Sequence, residues 1–333
     1  MSALTKLSIA FVLAGAFLHA APAAADLPGR LQVRVPAHRA PQVAATAFDI
    51  DDNTLRLPTK IWIVNAASGR QRSVSTADWA TARAHFAPAP DGKTLVGSGR
   101  FTGYKVDLDA HKGAFREFYD PPGDGHAFAD TVKSALARGG KSWQGPAWHS
   151  FVEAMSDPDT ARRATFITAR GHSPEGLREG FAELQARGFI KYLPPKENFF
   201  PVNRDNFQFA GKVVAGDNAT RKTVVMRGVL DEVQANGFGR RAVPVVAPDG
   251  KGTRTMQTWS FSDDDYGNYQ KAVTSLSTEV AQGRWPDVKI TLEFTGRNDP
   301  AHRPESVVLR PDGTTRPQLA AERAELTRIA ATH

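Results

Sequence analysis

Carboxylates and hydroxyls stand where apolar runs stop at three points of the chain. "AATAFDIDDNTL" (44–55) is an apolar run that ends at Asp49 and continues through Asp51 and Asp52 to Asn53 and Thr54. "TFITARG" (165–171) sets Thr168 at the end of a second run, and "TRTMQTWSFSDDDYGN" (253–268) carries a third into Asp263, Asp264 and Asp265. Carboxylates gathered at neighbouring strand ends repel one another unless a cation lies among them, and an all-oxygen donor set suits Mg²⁺. The spacing therefore points to a place where a metal and an anionic substrate meet.

Three strands must bring these ends together. The first is expected over Val43–Ile50, the second over the apolar part of "ARRATFITARG" (161–171), and the third over 253–261. After the second, "SPEGLREGFAELQARG" reads as a helix: Ser173 caps it, Pro174 takes its first position, Leu177, Phe181 and Leu184 share one face, and Gly188 ends it. Further helices are expected over Lys222–Gln234 and Tyr269–Val280, and a further strand over 287–294. Strand–loop–helix units of this kind favour a parallel sheet, and open α/β sheets bind ligands at the carboxyl ends of their strands. Residues 59–145 break the alternation. Ile61–Val64 and Arg72–Val74 flank a turn at 68–70, "PDGK" (90–93) marks another, and the whole reads as a β-rich, irregular insertion.

The chain has 333 residues, of which 41% are hydrophobic and 23% charged, the composition of a folded globular protein. Residues 1–25 pair Lys6 with an apolar run (Leu7–Leu18) and the small residues Ala20–Ala25, as in a secretory leader cleaved before Asp26. The other reading, an N-terminal membrane anchor, has to accept a run shorter than the roughly 20 residues a bilayer needs. A periplasmic or secreted protein with no membrane span after cleavage is the expectation. Cysteine is absent, which excludes disulfides, thiolate metal sites and a cysteine nucleophile. The net charge of +7 favours anionic ligands. Its basic residues form only short clusters such as Arg162–Arg163 and Arg240–Arg241, so nucleic acid is not expected as a partner.

Taken together, these motifs resemble those of the haloacid dehalogenase-like phosphohydrolase superfamily, and the leader suggests an exported bacterial member. Asp49–Ile50–Asp51 is similar to its first motif, Thr168 in "TFITARG" to its second, Lys222 to its third and the acidic run of "SFSDDDYGN" to its fourth, in order across roughly Thr46–Asn268. The resemblance implies an α/β fold with a Rossmann-like three-layer core, a central parallel sheet and an inserted β-rich cap or flap. It implies a core of 42–56 and 150–294 and an insert of 57–149; the residues themselves give a proline-marked, extended lead-in of 26–41 and a C-terminal extension of 295–333, in which "ESVVLRPDGTTRP" suggests a strand and a turn and Pro317–Ala331 a polar, Ala-rich helix. Asp49 would attack phosphorus to form an aspartyl-phosphate, and Asp51 would protonate the leaving oxygen and later activate water. Mg²⁺ would be held by Asp49, the Asp51 carbonyl and either Asp263 or Asp264, while Thr168 and Lys222 would bind the remaining phosphoryl oxygens. Lys212 and Lys251 compete with Lys222 for its role. The chain departs from the pattern at Asn53, where the family has Thr; Thr54 follows one residue on. The implied partner is a small phosphomonoester.

Bland readings stand beside these. Asp49 and Asp51 could be turn residues, and Asp263–Asp265 a solvated helix N-terminus. "DLD" (107–109) repeats the spacing without a buried run before it, and "GGKS" (139–142) lacks the first glycine and the strand of a P-loop. His126 and His172 read as surface or loop histidines; Trp143, Trp148 and Phe151 read as packing between insert and core. Two other functions compete with a phosphatase: a binding or scaffold protein that keeps the fold without turnover, and a protein whose basic face docks on an anionic surface.

Overall fold

The structure, a computed structural model, describes residues 45–237, 242–296, 301–319 and 322. The leader, the lead-in, Arg240–Arg241 and most of the helix expected over Pro317–Ala331 lie outside the described residues. In chain order, β1 (Ala45–Phe48) is followed by β2 (Lys60–Asn65), β3 (Gln71–Ser75), α1 (Thr76–Ala82), β4 (Phe86–Pro88), β5 (Thr94–Gly97) and β6 (Tyr104–Asp107). Then come α2 (Ala127–Ala137), α3 (Trp148–Ala154), α4 (Pro158–Ala161), β7 (Thr165–Thr168), α5 (Pro174–Ala186), β8 (Phe199–Pro201) and a short pair, β9 (Gln208–Phe209) and β10 (Lys212–Val213). The remainder is α6 (Asn218–Asn236), β11 (Val243–Val246), β12 (Thr253–Asp263), α7 (Tyr266–Ala281), β13 (Val288–Phe294), β14 (Glu305–Leu309) and β15 (Thr315–Pro317).

The fold is mixed α/β with a mostly parallel central sheet. Among the described residues its eight strands run in the order β15-β14-β13-β12-β1-β7-β8, with β11 paired to β12. The five from β13 to β8 are parallel to one another, whereas β11, β14 and β15 pair antiparallel. β1 is the strand from which the order runs both ways, to β7 and β8 on one side and to β12 and β13 on the other. Such a reversal opens a crevice at the carboxyl ends of the strands.

Alternation of side chains gives the sheet two buried faces. Ala45, Ala47, Ile167, Trp259 and Phe261 pack with α6 and α7 through Val225, Met226, Leu230, Ala272 and Leu276. Phe48 and Phe166 pack on the other face with α2, α3 and α5 through Phe128, Val132, Phe151, Leu177 and Phe181. Phe166 lies 4.6 Å from Phe181, 4.9 Å from Phe199 and 5.8 Å from Phe48 between ring centroids. Each such pair adds about 0.5–1.5 kcal/mol to the area it buries. Trp143, Trp148 and Phe151 join this cluster, as their apolar surface required.

Several boundaries differ from expectation. α5 has the predicted cap and stop: Ser173 Oγ accepts from the Gly176 N–H and Gly188 adopts φ +77°. α6 starts at Asn218, because Asp217 accepts from the Thr220 N–H and so caps the helix ahead of the apolar stripe. Lys222 therefore sits a turn inside the helix and not at its start. In the same way Asp265 caps α7, which begins at Tyr266. The excursion after β1 is β-rich only as far as Asp107: β2–β6 form an antiparallel sheet in the order β3-β2-β6-β5-β4 around its own apolar cluster. The stretch after it forms α2, whose inward face belongs to the central cluster. The tail makes the strand and turn expected of it, as β14 and β15. Among the described residues no helix is long and apolar enough to cross a membrane.

Candidate active site

β1 stops because its last rungs hand over to a tight turn. The Asp49 N–H still reaches the Ser262 carbonyl of β12 at 2.9 Å; after it, the Thr54 and Leu55 N–H groups both fold back on the Ile50 carbonyl, and Asp52 adopts φ +52°. Asn53 and Thr54 hold the turn from inside. Asn53 Nδ2 donates to the carbonyls of Asp49 (3.1 Å) and Ser262 (3.0 Å) and to Ser262 Oγ (3.0 Å), while its Oδ1 accepts from Thr295 Oγ1 (2.7 Å). Thr54 Oγ1 donates to the Asp49 carbonyl at 2.7 Å. A hydroxyl has one proton to give, whereas an amide has two and an acceptor besides. At position 53 the amide ties β1 to β12 and to the end of β13, and the hydroxyl contact is made by Thr54.

Four of the expected residues converge. Lys222 Nζ donates to Asp49 Oδ1 and to Asp263 Oδ2, both at 2.8 Å, and all three side chains are buried. Asp49, Asp263 and Asp264 each offer a carboxylate oxygen within 4.8 Å of the others. The Asp265 N–H donates to Asp263 Oδ1, which fixes that carboxylate. α6 delivers Lys222 because its apolar face is seated on the sheet, and a lysine one turn in reaches over the strand ends. Lys222 is thus the lysine that meets the carboxylates; Lys212 lies in the short β10, exposed.

The charges are in tension. Burial pushes the Asp49 carboxyl up to about 8; Lys222 pulls against this, and Asp263 and Asp51 add to it. Burial likewise raises Asp263, opposed by Lys222, and raises Asp264 well above the carboxylate range with the help of Asp49 and Asp263. Burial takes Asp52 to about 6, against the hydrogen bond from Thr76. Burial opposes the charge of Lys222, yet Asp263 and Asp49 hold it above the ordinary lysine range. Three carboxylates outnumber one ammonium, so a divalent cation among them would relieve the excess, and a set of oxygens with no nitrogen or sulfur fits Mg²⁺.

Asp51 and Thr168 stand apart from this group. Both Asp51 oxygens are taken by Arg170, with Nε to Oδ2 at 2.8 Å and Nη2 to Oδ1 at 2.6 Å, so its carboxylate is not among the three that could share a metal. Its carbonyl accepts from the Asn53 N–H at 2.6 Å. Thr168 ends β7; since Phe48 pairs with Phe166, it lies level with Ile50, and its hydroxyl accepts from the Arg170 N–H at 3.4 Å. No protein-family model, curated protein or solved structure matches the chain. What the site can do is then a matter of its geometry.

The excursion lies over the carboxylates. Arg83, just after α1, forms a fork onto Asp265, at 2.5 Å and 2.9 Å. A narrow cleft of about 40 Å³ between the two is lined by Asp52, Ala77, Ala80, Arg83, Asp264 and Tyr266, among others. Sequence reasoning missed Arg170 and Arg83, whose partners are distant in the chain; His172 lies in a loop, as read, but not at the surface. That histidine is buried, with neither ring nitrogen hydrogen-bonded among the described residues, 5.5 Å from Phe128, and burial drives its pKa down to about 2. His126 is on the surface, as expected, paired with Glu179. Asp109 of the "DLD" repeat caps a turn through the His111 and Lys112 N–H groups, and Gly139 and Gly140 of "GGKS" take positive φ after α2.

Proposed function

We propose that the protein is a Mg²⁺-dependent phosphatase-like hydrolase of the haloacid dehalogenase-like type, acting on a phosphomonoester through an aspartyl-phosphate. The observation that carries the proposal is the buried Asp49–Lys222–Asp263 bridge, with Asp264 beside it, at the carboxyl end of the strand where the sheet order reverses. In this reading the Asp49 oxygen attacks phosphorus as the bond to the ester oxygen breaks. The departing oxygen takes a proton from Asp51 and leaves as an alcohol. Water then attacks the phosphorus of the acyl phosphate, Asp51 takes its proton, and the bond to Asp49 breaks to release phosphate. Lys222 offers its ammonium to phosphoryl oxygen, and Thr168 offers its hydroxyl from the neighbouring strand end. Asp49, Asp263 and Asp264 are the residues that would hold Mg²⁺, which when bound neutralises phosphoryl charge and lets an anionic nucleophile approach. The core is read as a three-layer α/β unit and the β2–β6 sheet as its cap; the leader is read as export to the periplasm or the medium.

A second reading, a binder that keeps the fold and the metal without turnover, is favoured by the narrowness of the cleft over Asp264. Phosphate release from a panel of phosphomonoesters, in Mg²⁺ and in EDTA, separates the two. Release that requires Mg²⁺ is expected. A protein that Mg²⁺ stabilises against heat, but that releases phosphate from none of the esters, is the binder.

A further inference from the structure

The least explained group near the site is Arg170. Its side chain is buried completely, and nothing in the phosphoryl chemistry uses it. The guanidinium meets Asp51 as a two-pronged fork, and the same Nη2 that reaches Asp51 also donates to Thr59 Oγ1 at 2.6 Å. Its carbon sits 5.0 Å from the Phe118 ring and 4.9 Å from that of Phe128. Thr59 lies where the chain enters the β2–β6 sheet, and Phe118 where it has left that sheet. The adjoining Gly171 N–H donates to the Phe118 carbonyl at 2.8 Å, and a Cβ on Gly171 would fall 2.3 Å from the Tyr119 ring. Both ends of the excursion are thus fastened around one guanidinium.

We propose that Arg170 is a positioning residue for Asp51, and that the seated excursion completes its socket, so that docking of the excursion sets the orientation of the Asp51 carboxylate. This rests on the phosphatase reading of the site. An aspartate in a turn has several staggered rotamers of similar energy. A fork with two parallel N–H···O bonds selects one of them, and the planar guanidinium is itself held by two aromatic rings and a hydroxyl. A carboxylate has about four lone-pair sites, so the fork leaves others free on Asp51, which is still partly exposed. Lysine cannot substitute, because a point charge on a flexible stem fixes neither plane nor direction.

The test uses aryl phosphates graded in leaving group, from 4-nitrophenyl to phenyl phosphate, with the full mature chain. A misplaced proton donor is felt where the leaving oxygen most needs a proton. Arg170→Lys is therefore expected to lower kcat for phenyl phosphate by about 10²-fold, the low end of what a positioned acid supplies, with a much smaller loss for 4-nitrophenyl phosphate and KM nearly unchanged. Thr59→Val, which leaves the fork in place, is expected to shift the same ratio in the same direction by less. Equal loss across the series, or none, overturns the proposal, since a loosened fold would lower all esters alike. Hydrogen exchange supplies a measurement that needs no turnover: Asp51→Asn is expected to speed exchange in β2 across the Arg170 bridge. Faster exchange confined to 49–55 overturns the proposal. A wild-type chain that hydrolyses no ester tells against the phosphatase reading, and exchange in β2 still decides whether Arg170 couples the excursion to Asp51.

Discussion

At the scale of single residues, the site depends on which buried charges have partners. Among the described residues Lys222 is the one cation touching Asp49 and Asp263, so Lys222→Met leaves two buried carboxylates uncompensated. That change is expected to destabilise the metal-free protein by about 3–5 kcal/mol in chemical denaturation, with part of the loss restored by Mg²⁺. Asn53→Ala leaves Ser262 and Thr295 without their amide and should cost about 1–3 kcal/mol. His172 makes a prediction about acid. Its folded pKa of about 2 lies below the ordinary histidine value of 6.5, so below that pH the unfolded chain binds a proton the folded chain does not. Stability falls as pH drops through this window, by about 1.4 kcal/mol per unit from this residue alone. His172→Leu should therefore unfold at lower pH than the wild type, as followed by circular dichroism. Asp49, Thr168, Lys222 and Asp263 were legible because each stands beside a run whose period is visible. Arg170 was not, because an arginine following a strand has no local signature, and its fork partner lies 119 positions away. The burial of His172 depends on Phe128, from another part of the chain, which no local pattern discloses.

At the scale of elements, short strands are placed by aromatic packing. β7 has four residues, and Phe166 in it touches Phe48, Phe181 and Phe199. Phe166→Ala is expected to cost about 3–5 kcal/mol and to lower the thermal midpoint measured by calorimetry. Because Thr168 is two residues further along the same strand, the variant should also lose activity in proportion to the disorder of that strand end. The existence of β1, β7, α5, α7, β12 and β13 could be read from periodicity and caps. The start of α6 could not, since the apolar stripe begins at Lys222 whereas the cap that decides the matter, Asp217, lies five residues earlier in a polar stretch. α2 was hidden for a different reason: it follows an irregular antiparallel sheet, and its stripe of Phe128, Val132, Ala135 and Leu136 makes sense only against α5.

At the scale of the molecule, a reversing parallel sheet provides the crevice, and an antiparallel sheet inserted after its first strand lies over it. The Arg83–Asp265 fork is an outer polar clasp between the two, half-exposed, and so contributes to access more than to stability. Arg83→Ala is expected to leave the unfolding free energy within about 1 kcal/mol of wild type while speeding limited proteolysis in β3–β6. The proposed metal belongs to this scale as well, because a ligand that binds only the folded chain stabilises all of it. Mg²⁺ at a hundred times its dissociation constant should add about 2.7 kcal/mol and raise the melting temperature, and the increment should vanish in Asp263→Asn/Asp264→Asn. The most direct test of the central claim is single-turnover phosphate release by Asp49→Asn beside wild type, in Mg²⁺, with each fold checked by circular dichroism. Loss of release together with loss of a phosphoryl group on the acid-quenched peptide that contains residue 49 is the predicted result. Release by Asp49→Asn at the wild-type rate would contradict it.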